Sequence, residues 1–81
     1  MNLKGVLEGL LFVVGDDGLT IDQIMDILSI SKEETINLIE ELKKDYDSTE
    51  RGIRINILGN TFKLTTKKEH SEYYKKLLTN E

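Results

Sequence analysis

The chain of 81 residues contains no cysteine, no proline and no tryptophan, and only one histidine. Without cysteine, neither a disulfide nor a thiolate metal site can supplement the core, and a reducing compartment fits. His70 has no second histidine with which to share a metal, so no metal or cofactor is expected. The missing proline excludes Pro-rich linkers and suits a locally regular chain. No apolar run approaches the roughly 20 residues that span a bilayer. The N-terminus lacks the basic start and small-residue cleavage site of a secretory signal. A cytoplasmic protein without membrane contact is the expectation. The length implies one domain over residues 1–81, with modest stability, because a chain this short buries a limited fraction of its surface.

Charge is scarce in net terms but unevenly placed. Residues 1–50 carry four lysines and twelve acids, a balance of −8, whereas residues 51–81 carry seven bases and three acids, a balance of +4. The overall −4 therefore does not by itself exclude a nucleic-acid partner.

Periodicity supplies the elements. In "NLKGVLEGLLFVVG", Leu3, Val6, Leu7, Leu10, Leu11 and Val14 follow the spacing of one buried helix face. "GDDG" then reads as a turn. Leu19 can begin a minimal strand, and Thr20 with Gln23 forms a capping box. The short helix that follows turns Ile21, Ile24, Met25 and Leu28 inward. Ser31 with Glu34 is a second capping box, opening a helix that buries Ile36, Ile39, Leu42 and Tyr46. About three residues separate the two helices, which is helix-turn-helix spacing.

The period then changes from 3.6 to 2. "IRINIL" and "TFKLTT" flank Gly59-Asn60, a good two-residue hairpin turn. With that turn, Leu58 faces Thr61, Ile57 faces Phe62, Ile55 faces Leu64 and Arg54 faces Thr65, so the apolar partners share one side. Thr66 with Glu69 offers a third capping box before "KKEHSEYYKKLL", which presents Tyr73, Tyr74, Leu77 and Leu78. Helix, helix-turn-helix, hairpin and helix make a mostly α fold with a small β-hairpin, a winged helix-turn-helix.

A winged helix prompts a DNA hypothesis, which the charges test. The outward arc of the second turn-motif helix holds Glu33, Glu34, Asn37, Glu40, Glu41 and Lys44. Four carboxylates against one amine would meet the phosphates of a major groove, where Lys, Arg or neutral donors are needed. The wing tip has no base to enter a minor groove. The remaining DNA-contact candidates are Arg54 and Lys63 on the outer face of the hairpin, and Lys67 and Lys68, with Lys75 and Lys76, on the last helix. A DNA-binding transcriptional regulator using these is the alternative reading. Enzyme signals are weak: "GDDG" lacks the ligand spacing of a calcium loop, and the neighbours of His70 do not face it on a helix.

The off-core face of the first helix carries Gly5, Glu8, Gly9 and Phe12. Two interior glycines each cost roughly 1 kcal/mol relative to alanine. Spaced four apart, they open a shallow groove beside Phe12, read here as a protein interface.

"EGLLFVVGDDGLTIDQIMDIL", "EELKKDYDSTERGIRINILGNTFKLTT" and "YYKKLL" resemble the N-terminal half of bacterial ScpB, the segregation and condensation protein B. The resemblance covers nearly the whole chain. It implies the first of two winged-helix domains and a non-enzymatic, homodimerising role. It also implies partnership with the kleisin ScpA and, through it, the SMC ATPase, in a condensin-like complex for chromosome condensation and segregation.

Overall fold

The computed structural model describes residues 2–79. Helix α1 spans Leu3–Val14 and is capped by Asn2, whose side chain accepts from the Lys4 and Gly5 amides. A 3-10 turn over Gly15–Asp17 leads to β1, Leu19–Thr20. Helices α2 (Ile21–Leu28) and α3 (Lys32–Asp45) follow. Strands β2 (Ile53–Leu58) and β3 (Thr61–Thr66) form the wing. A 3-10 turn over Lys68–His70 leads into α4, Ser71–Thr79. The winged helix-turn-helix, an α+β fold, is the observed architecture.

Both helices of the turn motif start where their capping boxes place them. Gln23 N donates to Thr20 Oγ1 at 3.1 Å while Thr20 N donates to Gln23 Oε1 at 2.9 Å. Glu34 N donates to Ser31 Oγ at 3.0 Å and Ser31 N donates to Glu34 Oε1 at 3.1 Å. Each pair satisfies two amides that helix geometry would otherwise leave without partners. Between the two helices, Ser29 adopts the left-handed conformation, φ 56°, which reverses the chain within the turn.

The sheet is antiparallel, in the order β1-β3-β2. Its hairpin register pairs Leu58 with Thr61, Ile57 with Phe62, Ile55 with Leu64 and Arg54 with Thr65, as the alternation requires. Gly59 alone takes a positive φ in the turn, the pattern of a type II′ hairpin. β1 adds Leu19 opposite Phe62.

The core joins Leu7 and Leu11 of α1, Leu19, Ile24, Ile39, Leu42, Tyr46, Ile55 and Phe62. Each fully buried aliphatic side chain contributes roughly 1.5–3 kcal/mol relative to exposure. Thr35, also fully buried, donates its hydroxyl to the Ser31 carbonyl at 2.8 Å, so no polar group is stranded there.

Three expectations change. Ile36 is 41% exposed. The buried row of α3 runs Thr35, Ile39, Leu42, Tyr46, and Leu38 rather than Ile36 packs beside it, so the apolar arc lies one residue round the helix. Thr66 does not cap α4. It is still Cα partner to Ile53 in the β3 ladder, and the helix begins only after the 3-10 turn, whose N-cap, Lys67, makes no side-chain cap bond. The hairpin closes the core with Ile55 and Phe62, and the half-buried Leu64 packs against that core. Ile53 and Ile57 are exposed, because α1 lies against β3 and the edge strand β2 extends past it.

Candidate protein-interaction surface

The register of α1 that buries Leu7 and Leu11 necessarily turns Gly5, Glu8, Gly9 and Phe12 away from the core. The structure brings all four together. With Ile53 of β2 and Leu64 of β3 they line a groove of about 300 Å³. That volume lies at the bottom of the range for small-molecule pockets, and apolar side chains dominate the lining. Phe12 is 79% exposed, and its neighbour Val13 is no better covered. A Cβ added at Gly5 or Gly9 would find nothing within 4 Å, so the glycines leave the floor open.

One polar relationship shapes the rim. Glu8 accepts a hydrogen bond from the buried Tyr46 hydroxyl, which ties the groove to the end of α3. Burial, reinforced by that bond, pushes the Tyr46 phenol well above its ordinary value. Nearby, Lys4 Nζ pairs with Asp45 Oδ2 at 2.8 Å, and the Asp45 hydrogen bond raises the lysine's pKa. Neither Tyr46 as a partner of Glu8 nor Ile53 and Leu64 as groove walls was legible from α1 alone. The only signal was the inward face of the hairpin alternation.

The basic candidates do not converge in the same way. Arg54 is exposed and lines a separate concavity that also holds Lys43, Asp47 and Glu69. Two acids beside three bases, Lys43, Arg54 and Lys67, make a mixed surface, not a phosphate track. Lys63 is half-buried and Lys68 exposed. Lys67 is only 7% exposed, and its ammonium donates to the Ser48 carbonyl at 2.7 Å. That lysine is committed to holding the loop between α3 and β2, so its ammonium is not presented to DNA. The outward residues of α3, Glu33, Glu34, Asn37, Glu40, Glu41 and Lys44, all stand in solvent.

His70 is half-buried against Tyr74, with ring centroids 6.3 Å apart in an edge arrangement. Among the described residues no cluster of His, Cys, Asp or Glu is arranged to hold a metal, and no helix is long and apolar enough to cross a membrane.

Residues 5–81 match the family model described as "Segregation and condensation complex subunit ScpB". The chain belongs to the ScpB family.

Its similarity to ScpB proteins runs through the whole fold. It is 43% identical over 75 residues to segregation and condensation protein B of Bacillus mycoides, covering 93% of this chain and 40% of that protein. To the same protein of Shouchella clausii it is 48% identical over 71 residues, covering 88% and 37%. The chain thus spans about two-fifths of the length of the curated ScpB proteins it matches. Among solved structures it superposes, with a TM-score of 0.89 and 49% identity, on a crystallised dimer of an ScpB N-terminal domain complexed with ScpA peptide. That match covers 91% of this chain and 88% of the other. The ScpB of Mycobacterium tuberculosis, 24% identical, shares the fold over 94% of this chain and 47% of its own, with a TM-score of 0.83.

Proposed function

We propose that this chain is the N-terminal winged-helix part of a non-catalytic ScpB subunit, acting in the cytoplasm in chromosome condensation and segregation. It self-associates and helps bind the kleisin ScpA, and through ScpA it serves an SMC ATPase complex. The observation that carries this reading is the α1–hairpin groove, apolar, open and flanked by an aromatic ring left in water. Monomeric proteins rarely leave such patches uncovered, and an aromatic anchor beside a shallow pocket is the usual anatomy of a protein contact. The crystallised ScpB N-terminal dimer with ScpA peptide, alike over most of its length, supports both partners.

The acidic outer face of α3 agrees. A helix with Glu33, Glu34, Glu40 and Glu41 facing outward repels duplex DNA and leaves the winged fold as a scaffold for polypeptide. The test is mass in solution by sedimentation, run beside co-purification with ScpA. A monomer that fails to retain ScpA would end this reading.

A further inference from the structure

Lys67 is buried without a countercharge. Its ammonium can donate three hydrogen bonds. Among the described residues it donates only to the Ser48 carbonyl, which also accepts from the Arg51 amide at 3.1 Å. No carboxylate pairs with it among the described residues. A charge withdrawn from water is costly unless an opposite charge reaches it. Lys67 lines a cleft of about 300 Å³ that opens where the end of α3, β2 and the turn before α4 meet. Buried Tyr46 and Ile55 form its floor. Arg54 is exposed and enters no ion pair among the described residues, and Lys43 reaches only Glu40, at a loose 3.7 Å. Asp47 and Glu69, both exposed, complete the lining.

We propose that this cleft seats a single carboxylate, the side chain of an aspartate or glutamate on a partner polypeptide, between Arg54 and Lys67. The inference rests on the reading of the domain as a scaffold for polypeptide. It names a second contact, which shares no residue with the α1–hairpin groove. Charge selects the ligand. Lys43, Arg54 and Lys67 set against Asp47 and Glu69 leave a surplus of one positive charge. One carboxylate neutralises that surplus. A phosphate monoester, at roughly −1.5 to −2 near pH 7, exceeds it and meets both acids. The planar guanidinium of Arg54 suits a carboxylate, which it can hold by two parallel hydrogen bonds. Depth selects how the group arrives. Lys67 is only 7% exposed, so a ligand must enter the cleft to approach it, which a side chain can do and a duplex backbone lying on the rim cannot. The exposed rim of Arg54, Asp47 and Glu69 does not enclose a free small molecule as a metabolite pocket does, and its two acids can hold a basic neighbour in the same segment.

The test is an NMR titration of the isotope-labelled full chain at constant ionic strength with three probes. They are glutamate acetylated at its amino group and amidated at its α-carboxyl, the neutral glutamine counterpart, and inorganic phosphate. The glutamate probe is expected to give saturable shifts at Lys43, Asp47, Arg54 and Glu69, with a Kd of about 10 mM or below. Phosphate should bind more weakly and the glutamine probe should give no saturable shift. Arg54→Gln is expected to weaken the glutamate probe about tenfold with melting at wild-type values, because Arg54 stands in solvent. Asp47→Asn combined with Glu69→Gln is expected to bind phosphate more tightly than the wild-type chain does, since the acids that repel it are gone. A wild-type chain that prefers phosphate, answers the glutamine probe equally or shows no saturable shift with the glutamate probe overturns the carboxylate site. So does an Arg54→Gln chain of undiminished affinity. Sedimentation of the same samples reads self-association separately: a dimer with no carboxylate site ends this inference alone, whereas a monomer ends the self-association reading while the titration still decides the cleft.

Discussion

The Tyr46 hydroxyl donates to the Glu8 carboxylate at 2.5 Å, joining the end of α3 to the outer side of α1 across 38 residues of sequence. One hydrogen bond thus connects the core, where Tyr46 is buried, to the rim of the groove, where Glu8 stands. The rim is held by the same packing that holds the fold.

Burial of the Tyr46 phenol, reinforced by that bond, gives stability a pH dependence. The folded state favours the neutral phenol, so the tyrosine's folded pKa lies above its ordinary value near 10. Below about pH 10 the contribution is fully present. Above it the unfolded chain ionises first and binds fewer protons than the folded one, so stability falls with rising pH. Tyr46→Phe should lose roughly 1 kcal/mol at neutral pH. It should also show a shallower decline between about pH 10 and pH 12 than the wild type. Urea unfolding across that range measures both. An undiminished alkaline decline in the variant would place the effect elsewhere.

Gly18 marks where the chain comes closest to itself. Its φ is +68°, and an added Cβ would lie 2.5 Å from Thr61 Cγ2 and 2.8 Å from the Phe62 carbonyl oxygen. Both neighbours belong to β3, where β1 docks, and the Phe62 oxygen is backbone that cannot swing aside. Gly18→Ala should cost about 2–4 kcal/mol through strain and overpacking. Gly59, also at positive φ but with open space around it, should lose only about 1 kcal/mol on the same substitution. Comparing the two denaturation midpoints separates clash from backbone strain; equal losses would contradict the close approach.

Most of the scaffold was legible because its signals are local. Two capping boxes, the change of period at Ile53 and the Gly59-Asn60 turn each specify geometry within a few residues, and the hairpin register follows by pairing. The α1 face was legible too, since burying Leu7 and Leu11 leaves Gly5, Glu8, Gly9 and Phe12 outside. What failed depended on competition between elements. Thr66 has the right spacing for a cap, but the β3 ladder holds it as a strand residue. Ile36 fits a helical stripe, but the buried Thr35 and half-buried Leu38 fix the rotation of α3 the other way. Lys67 reads as a surface charge, yet the α3–β2 loop supplies a carbonyl that draws its ammonium inward. The apolar pattern of α4 shows that the helix has a sticky side and carries no information on what covers it.

Gly9→Leu should move folding and association in opposite directions. In the single domain nothing lies within 4 Å of the new Cβ, and a helix interior gains up to about 1 kcal/mol on replacing glycine. The side chain would also fill the groove proposed as the contact surface. The expected outcome is a melting temperature at or above wild type with a dimer weakened at least about tenfold. Phe12→Asp should weaken the dimer similarly with melting unchanged, as its ring is mostly in water. Sedimentation equilibrium beside thermal melting reads both, and unchanged dimer affinity in both variants would remove the groove from the interface.

The acidic face of α3 predicts how the domain treats DNA. At physiological salt the wild-type chain should bind duplex no more tightly than weak non-specific proteins do, with Kd values of about 10⁻⁴ M or above. Glu33, Glu40 and Glu41 stand in solvent, so replacing all three by lysine reverses the face without touching the core. If those carboxylates are what keeps the helix out of the major groove, the triple variant should bind duplex measurably. Its affinity should fall with salt at a log–log slope of about −0.9 for each phosphate it engages. Fluorescence anisotropy with a labelled duplex at two salt concentrations gives both quantities. Tight, salt-steep binding by the wild-type chain would mean that Arg54 and Lys68 outweigh the glutamates, and the domain would then belong among DNA readers. Weak binding by the variant would mean instead that the shape of the turn motif, and not its charge, forbids the groove.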